Sequence, residues 1–113
     1  MCLDKRIDPA LAGYAPPTDD RVAQCVEACL ACADRCDDAA GRLVERGERG
    51  AVDALIAGTA TARLVADLLR EDREVDPGVL DLCVAALERC GELGVEGVDE
   101  PCAEAVRCLR ALG

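Results

Sequence analysis

The twelve residues CVEACLACADRC place four cysteines, Cys25, Cys29, Cys32 and Cys36, at offsets of 0, 4, 7 and 11. At roughly 100° per residue those offsets confine every thiol to an arc about 60° wide on one face of an α-helix. A thiol can ligate a soft metal, attack an electrophile or form a disulfide, and each needs sulfur held at a defined place. A helix that merely packs into a bundle would carry Leu, Ile or Val at these positions. The choice of a small, ionisable group at every one of them calls for a chemical reason.

The chain has nine cysteines in 113 residues. Cys83 and Cys90 lie seven apart and share a helix face, Cys102 and Cys108 follow near the end, and Cys2 stands alone near the start. In a secreted mini-protein this density would be a disulfide framework. Here the opening MCLDKRID offers no secretory segment, and no apolar run reaches spanning length, so the expected location is cytoplasmic, where thiols stay reduced. A CxxxC pair on an intact helix is also badly placed for the torsion of a relaxed disulfide. Metal or redox chemistry is the remaining reading.

Composition removes other classes. A net charge of −10, from 23 acidic and 13 basic residues, with no basic block and a single aromatic residue, excludes a nucleic-acid footprint and makes a membrane surface an unfavourable partner. Catalysis has little support: the chain has no His, no serine elbow and no phosphate-cradling glycine loop. A thiol redox enzyme would want CxxC at a helix N-terminus, whereas Cys29 and Cys32 fall in mid-helix. Glu27, Asp34 and Glu104 are expected on solvated faces. No enzyme is expected.

The positioning elements follow from punctuation and period. Residues 1–17, with Pro9, Gly13, Pro16 and Pro17, are expected to form an irregular arm that carries Cys2 and the lone Tyr14. Residues 18–113 are expected to form one cysteine-lined bundle. Thr18, Asp19 and Asp20 start a first helix that runs to about Arg46 and stops at Gly47. A second helix over Gly50 to Glu71 holds no cysteine and has an apolar or small arc of roughly 200°. Two readings of that width stay open: a homo-oligomer contact through helix 51–71, or a well-covered core helix with Thr59 and Thr61 on its flank.

Asp76 and Pro77 open a third helix carrying Cys83, Leu80, Leu87 and Cys90, which ends in GELGVEG. Asp99, Glu100 and Pro101 open a fourth, with Cys102, Ala105, Val106, Leu109 and Leu112 on its inner stripe and Cys108 roughly 100° away at a seam. The fold class expected is all-α, an antiparallel up-down-up-down four-helix bundle. That topology would gather Cys32, Cys36, Cys90 and Cys102 towards one end, and Cys25, Cys29, Cys83 and Cys108 further down the same interior.

CxxxCxxCxxxC on the first helix, with cysteines at helical spacing on later helices of a four-helix frame, resembles the bacterial four-helix-bundle copper storage proteins, cysteine-rich proteins often labelled ferredoxin-like. The resemblance implies Cu(I) held by thiolates that line the bundle core. It is closest over Cys25 to Cys36 and fair over Cys83, Cys90 and Cys102. The chain departs from it in the cysteine-free second helix, in Val106 and Leu109 where further thiols would stand, and in having no His. It reads as a reduced-cysteine relative, with a small cluster of about four Cu(I) ions if each takes two sulfurs, and more if thiolates bridge.

Buried thiolates cost free energy unless their charge is cancelled, and Cu(I) bridged at one metal per sulfur is neutral. Zn²⁺ or an iron–sulfur cluster bound by thiolates retains negative charge that wants N–H donors, which helices have already used. Inert packing is the bland alternative, since free Cys behaves as a small hydrophobe. So many on three helices, without aromatics, would leave volume unfilled. The reading is Cu(I) bound in the interior by Cys25, Cys29, Cys32, Cys36, Cys83, Cys90, Cys102 and Cys108. An iron–sulfur protein and a structural zinc or metal-free interaction domain remain as alternatives.

Overall fold

The computed structural model describes residues 17–71 and 74–112, with side chains from residue 20 onward. The expected arm, with Cys2 and Tyr14, lies outside the described residues apart from Pro17. Four helices make up the fold: α1 (Pro17–Arg46), α2 (Arg49–Arg70), α3 (Pro77–Glu92) and α4 (Asp99–Leu112). No strand occurs among the described residues. Helix α1 takes in Pro17, so it begins one residue before the expected Thr18, as the fixed φ of proline allows at a first helical position.

Each boundary has a local cause. Gly47 takes φ 75° after α1, and its N–H bonds Val44 O while Glu48 N–H bonds Leu43 O, the paired hydrogen bonds that close a helix through a left-handed residue. Helix α3 begins where the Asp76 carboxylate accepts from Gly78 N at 2.7 Å, with Pro77 filling the first turn. The link to α4 turns at Gly94 and Gly97, both at positive φ. It also drives the fully buried Val98 into the core, and Val98 O accepts the N–H of Cys102 at the start of α4.

The helices pack in a closed ring, each against its sequence neighbours and α4 back against α1. The result is an all-α four-helix bundle. At about 1.5 Å per residue, α1 and α2, with 30 and 22 residues, outreach α3 and α4, with 16 and 14. Helix α2 buries Val52, Leu55, Gly58, Thr59, Ala62, Val65, Ala66 and Leu69. Thr59 departs from the flank position expected for it: it faces α1 and is buried, its hydroxyl donating to Leu55 O at 2.8 Å and, more weakly, to Ala33 O at 3.4 Å. The helix keeps its own carbonyl as the partner of that buried hydroxyl. Beyond the buried stripe, Ile56 and Leu64 stay exposed, so the wide apolar arc is only partly used within the chain.

Among the described residues the core is built without aromatic side chains. Seven of its members, Cys25, Cys29, Cys32, Cys36, Cys83, Cys90 and Cys102, are cysteines, and most of the rest are Ala, Val and Leu. Charged groups stay outside: Asp34, Arg35, Asp37 and Asp38 are exposed on α1, and Arg63 of α2 reaches Asp34 and Asp37 at 3.4 and 3.7 Å. Such exposed pairs contribute about 0–1 kcal/mol each, so burial carries the fold.

Candidate metal centre

The stripe on α1 faces the interior along its whole length: Cys25, Cys29, Cys32 and Cys36 are each 0% exposed. Helix α4 brings Cys102 against its C-terminal half. Cys102 Sγ lies 3.2 Å from Cys32 Sγ and 3.8 Å from Cys36 Sγ, and all three sulfurs fall within 4.8 Å of one another, close enough to hold one metal ion. Thiolates around a tetrahedral ion at about 2.3 Å stand about 3.8 Å apart, so this trio needs little rearrangement to close on a metal.

Cys90 of α3 borders the same group. Its S–H donates to Ala54 O of α2 at 3.2 Å, and its thiol also interacts with those of Cys36 and Cys102. What lets it in is the cysteine-free helix. A Cβ at Gly58 of α2 would stand 2.5 Å from Cys90 Sγ and 3.9 Å from Cys36 Sγ, so bare backbone forms that wall. Glycine in mid-helix costs about 1 kcal/mol relative to alanine. Here it supplies room for sulfur.

The remaining thiols make a second group nearer the α2–α3 link. Cys25 and Cys29 interact one turn apart on α1, Cys83 of α3 feels Cys25 and acts on Cys29, and Cys108 of α4 feels Cys25. Cys108 is half-buried, at the seam position its phase predicts, and its S–H is directed at Glu104 Oε2 at 3.7 Å. Thr61 supplies the α2 side, its hydroxyl bonded to Ala57 O and Gly58 O and within reach of Cys83. The eight cysteines among the described residues are all free thiols.

Proton affinity is uneven within each group. Burial pushes Cys83 up to about 11 despite its contact with Thr61. For Cys90, contact with Cys102 acts downward but Cys36 and burial outweigh it, leaving it at about 11. Cys102 is pushed well above the thiol range by Cys32, Cys36, Cys90 and burial. In Cys32 the pull of Cys102 is likewise outweighed by Cys36 and burial. Cys36, in contact with Cys102, Cys32 and Cys90, is held below the ordinary range. In the second group Cys29 lowers Cys25 and is itself raised by it. Cys108 is raised by burial and by Cys25, against the pull of Arg107. Within each group the thiols interact with one another, so loss of a proton from one sulfur raises the proton affinity of its neighbours.

Among the described residues the donor set is sulfur alone. The chain has no His, and Glu27, Asp34 and Glu104 are exposed, as their sequence positions predict. Arg35, Arg89 and Arg107 are exposed as well; Arg89 and Arg107 act on Cys90 and Cys108 from the solvent side, and burial outweighs their pull. No protein-family model, curated protein or solved structure matches the chain. The chemistry of the site therefore rests on its own geometry. Sequence reasoning missed the part played by α2: Gly58 in the middle of an otherwise strong helix was the visible signal, and only the packing of α3 against it gave that signal a meaning.

Proposed function

We propose that this chain binds Cu(I) through thiolates inside its helical bundle and serves copper storage or sequestration in the cytoplasm, as a reduced-cysteine relative of the four-helix-bundle copper storage proteins. The observation that carries the reading is the convergence of Cys32, Cys36 and Cys102 in a buried, nitrogen-free site. An all-sulfur donor set selects soft ions, and Cu(I) is the softest of the common candidates. Cys90 extends that set, and Cys25, Cys29, Cys83 and Cys108 form the second binding region.

Charge favours Cu(I) over the alternatives. A neutral copper–thiolate cluster needs no stabilising donors, whereas Zn²⁺ held by four thiolates or an iron–sulfur cluster would leave net negative charge in the core. The backbone group that meets a sulfur here is the Ala54 carbonyl, an acceptor, which would repel residual charge on Cys90. Binding and holding, with no reacting group nearby, is the task this chemistry suits.

Anaerobic titration with Cu(I) tests the reading. Saturation well above one equivalent is expected, with near-ultraviolet sulfur-to-metal absorbance and no visible colour. Saturation below one equivalent without that absorbance rejects it, and a brown protein carrying iron and sulfide replaces it with the iron–sulfur alternative.

A further inference from the structure

The trio of Cys32, Cys36 and Cys102 is closed on the α2 side by packed backbone and on the α1 side by its own helix, so a metal ion needs a route between helices. One groove reaches it. Between α3 and α4 a groove of about 700 Å³ is lined by residues that include Gly91, Glu92, Asp99, Cys102 and Ala103. The larger groove beside it, with Ala31, Arg35 and the α3–α4 link on its walls, holds no cysteine.

Cys102 is also the thiol that both α1 partners approach, at 3.2 and 3.8 Å, so an ion arriving there is already within reach of Cys32 and Cys36. The groove stays open because α3 presents glycine at this point. A Cβ on Gly91 would touch Cys102 Cβ at 3.9 Å, so a longer side chain would fill the groove beside Cys102. On the opposite wall Ala103 is exposed. The charges have a sense too. Arg110 is tied to Glu88 at 2.6 Å and Arg107 to Glu104, whereas Glu92 and Asp99 have no ionic or hydrogen-bonding partner among the described residues. The groove thus offers uncompensated negative charge, which draws cations and repels anionic complexes.

We propose that the α3–α4 groove is the entry port of the closed thiol group, admitting Cu(I) as a cationic complex with small neutral ligands and passing it first to Cys102. This route rests on the Cu(I) reading above. In the exchange a Cu–S bond forms as a Cu–ligand bond breaks, the neutral ligand departs, and the Cys102 proton leaves to solvent through the same groove. No change of oxidation state is involved. Cys32 and Cys36 then bond the same ion, each forming a Cu–S bond as a further Cu–ligand bond breaks and each losing its proton to solvent by the same route.

Stopped-flow mixing of the anaerobic full chain with one equivalent of acetonitrile-complexed Cu(I), followed by near-ultraviolet absorbance, tests the port. Gly91→Leu, which covers Cys102 without replacing a thiol, is expected to slow loading about tenfold, a barrier increase of about 1.4 kcal/mol, while leaving the final stoichiometry unchanged. Ala103→Leu on the other wall should do the same, so the test survives if one variant does not fold. Ala31→Leu, on the wall of the neighbouring cysteine-free groove, should leave the rate within about twofold of the parent. Parental rates in both wall variants, or a tenfold slowing in Ala31→Leu, would overturn the groove as the route. Failure of the parent to take up Cu(I) at all rejects the binding function itself, and the route with it.

Discussion

The two thiol groups have the same inventory and different surroundings. Each draws two cysteines from α1, one from α3 and one from α4, yet only the group of Cys32, Cys36, Cys90 and Cys102 brings sulfurs within a single metal's reach, at Cys32, Cys36 and Cys102. The difference lies partly in the helix that gives no thiol. Against the first group α2 sets Gly58, whose missing side chain admits Cys90, while against the second it sets Thr61, whose hydroxyl occupies space beside Cys83. It lies also in α4, where Cys102 is 2% exposed and Cys108 sits at the seam, half in solvent. Counting cysteines measures capacity; the residues between them decide whether sulfurs converge.

The largest effect should come from dismantling one group at a time. Removing Cys32 and Cys102 together by alanine substitution should abolish the tightest Cu(I) class, lowering affinity in chelator competition by at least about 100-fold. Removing Cys83 and Cys108 should reduce capacity and spare that class. Equal losses from the two pairs would show the groups to be equivalent and break the comparison.

Gly58→Ala sharpens it from the side of α2. On propensity alone the change would add about 1 kcal/mol of helix stability. With a Cβ placed 2.5 Å from Cys90 Sγ, the neighbour must shift, and overpacking of this kind costs about 1–3 kcal/mol. Urea denaturation should therefore find Gly58→Ala less stable than the parent, and the variant should draw Cys90 away from the sulfurs of Cys36 and Cys102. Thr61→Ala should stay within about 1 kcal/mol of the parent.

The thiol proton affinities give a pH window. Cys83 in the folded protein loses its proton at about 11, against 9.0 for the free thiol, and Cys90 behaves alike. Between those values the unfolded chain releases protons that the folded chain retains, so stability present below pH 9 declines towards pH 11. Metal-free protein should show a falling urea midpoint across that interval. Copper-loaded protein, whose thiols are already deprotonated, should show a flatter profile. A decline of equal size in both forms would detach the thiols from the effect.

The smallest effect belongs to the surface. Arg63→Ala, which breaks the exposed pairs to Asp34 and Asp37, should change stability by no more than about 1 kcal/mol and leave copper binding intact.

Much of this was legible beforehand because helical periodicity is a local property. The stripe from Cys25 to Cys36, the stop at Gly47, the Asp76–Pro77 start and the seam position of Cys108 each depend on residues within a turn or two. Thr59 was misplaced because an apolar arc wider than the buried face does not say which edge meets a neighbour, and here α1 packs against it. The exposed Ile56 and Leu64 keep the homo-oligomer proposal through residues 51–71 open to a measurement of molecular mass in solution.

The sequence by itself determined the helices, the inward direction of the sulfur stripe and the soft, nitrogen-free character of the candidate ligands, since these follow from residue type and a fixed angular step. The tertiary structure alone decided which thiols meet, that Cys102 pairs with Cys32 and Cys36, and that Gly58 and Gly91 serve as wall and opening. Those facts depend on the axial offset and rotation of one helix against another. Both are set by how many side chains pack together, and no single segment encodes them.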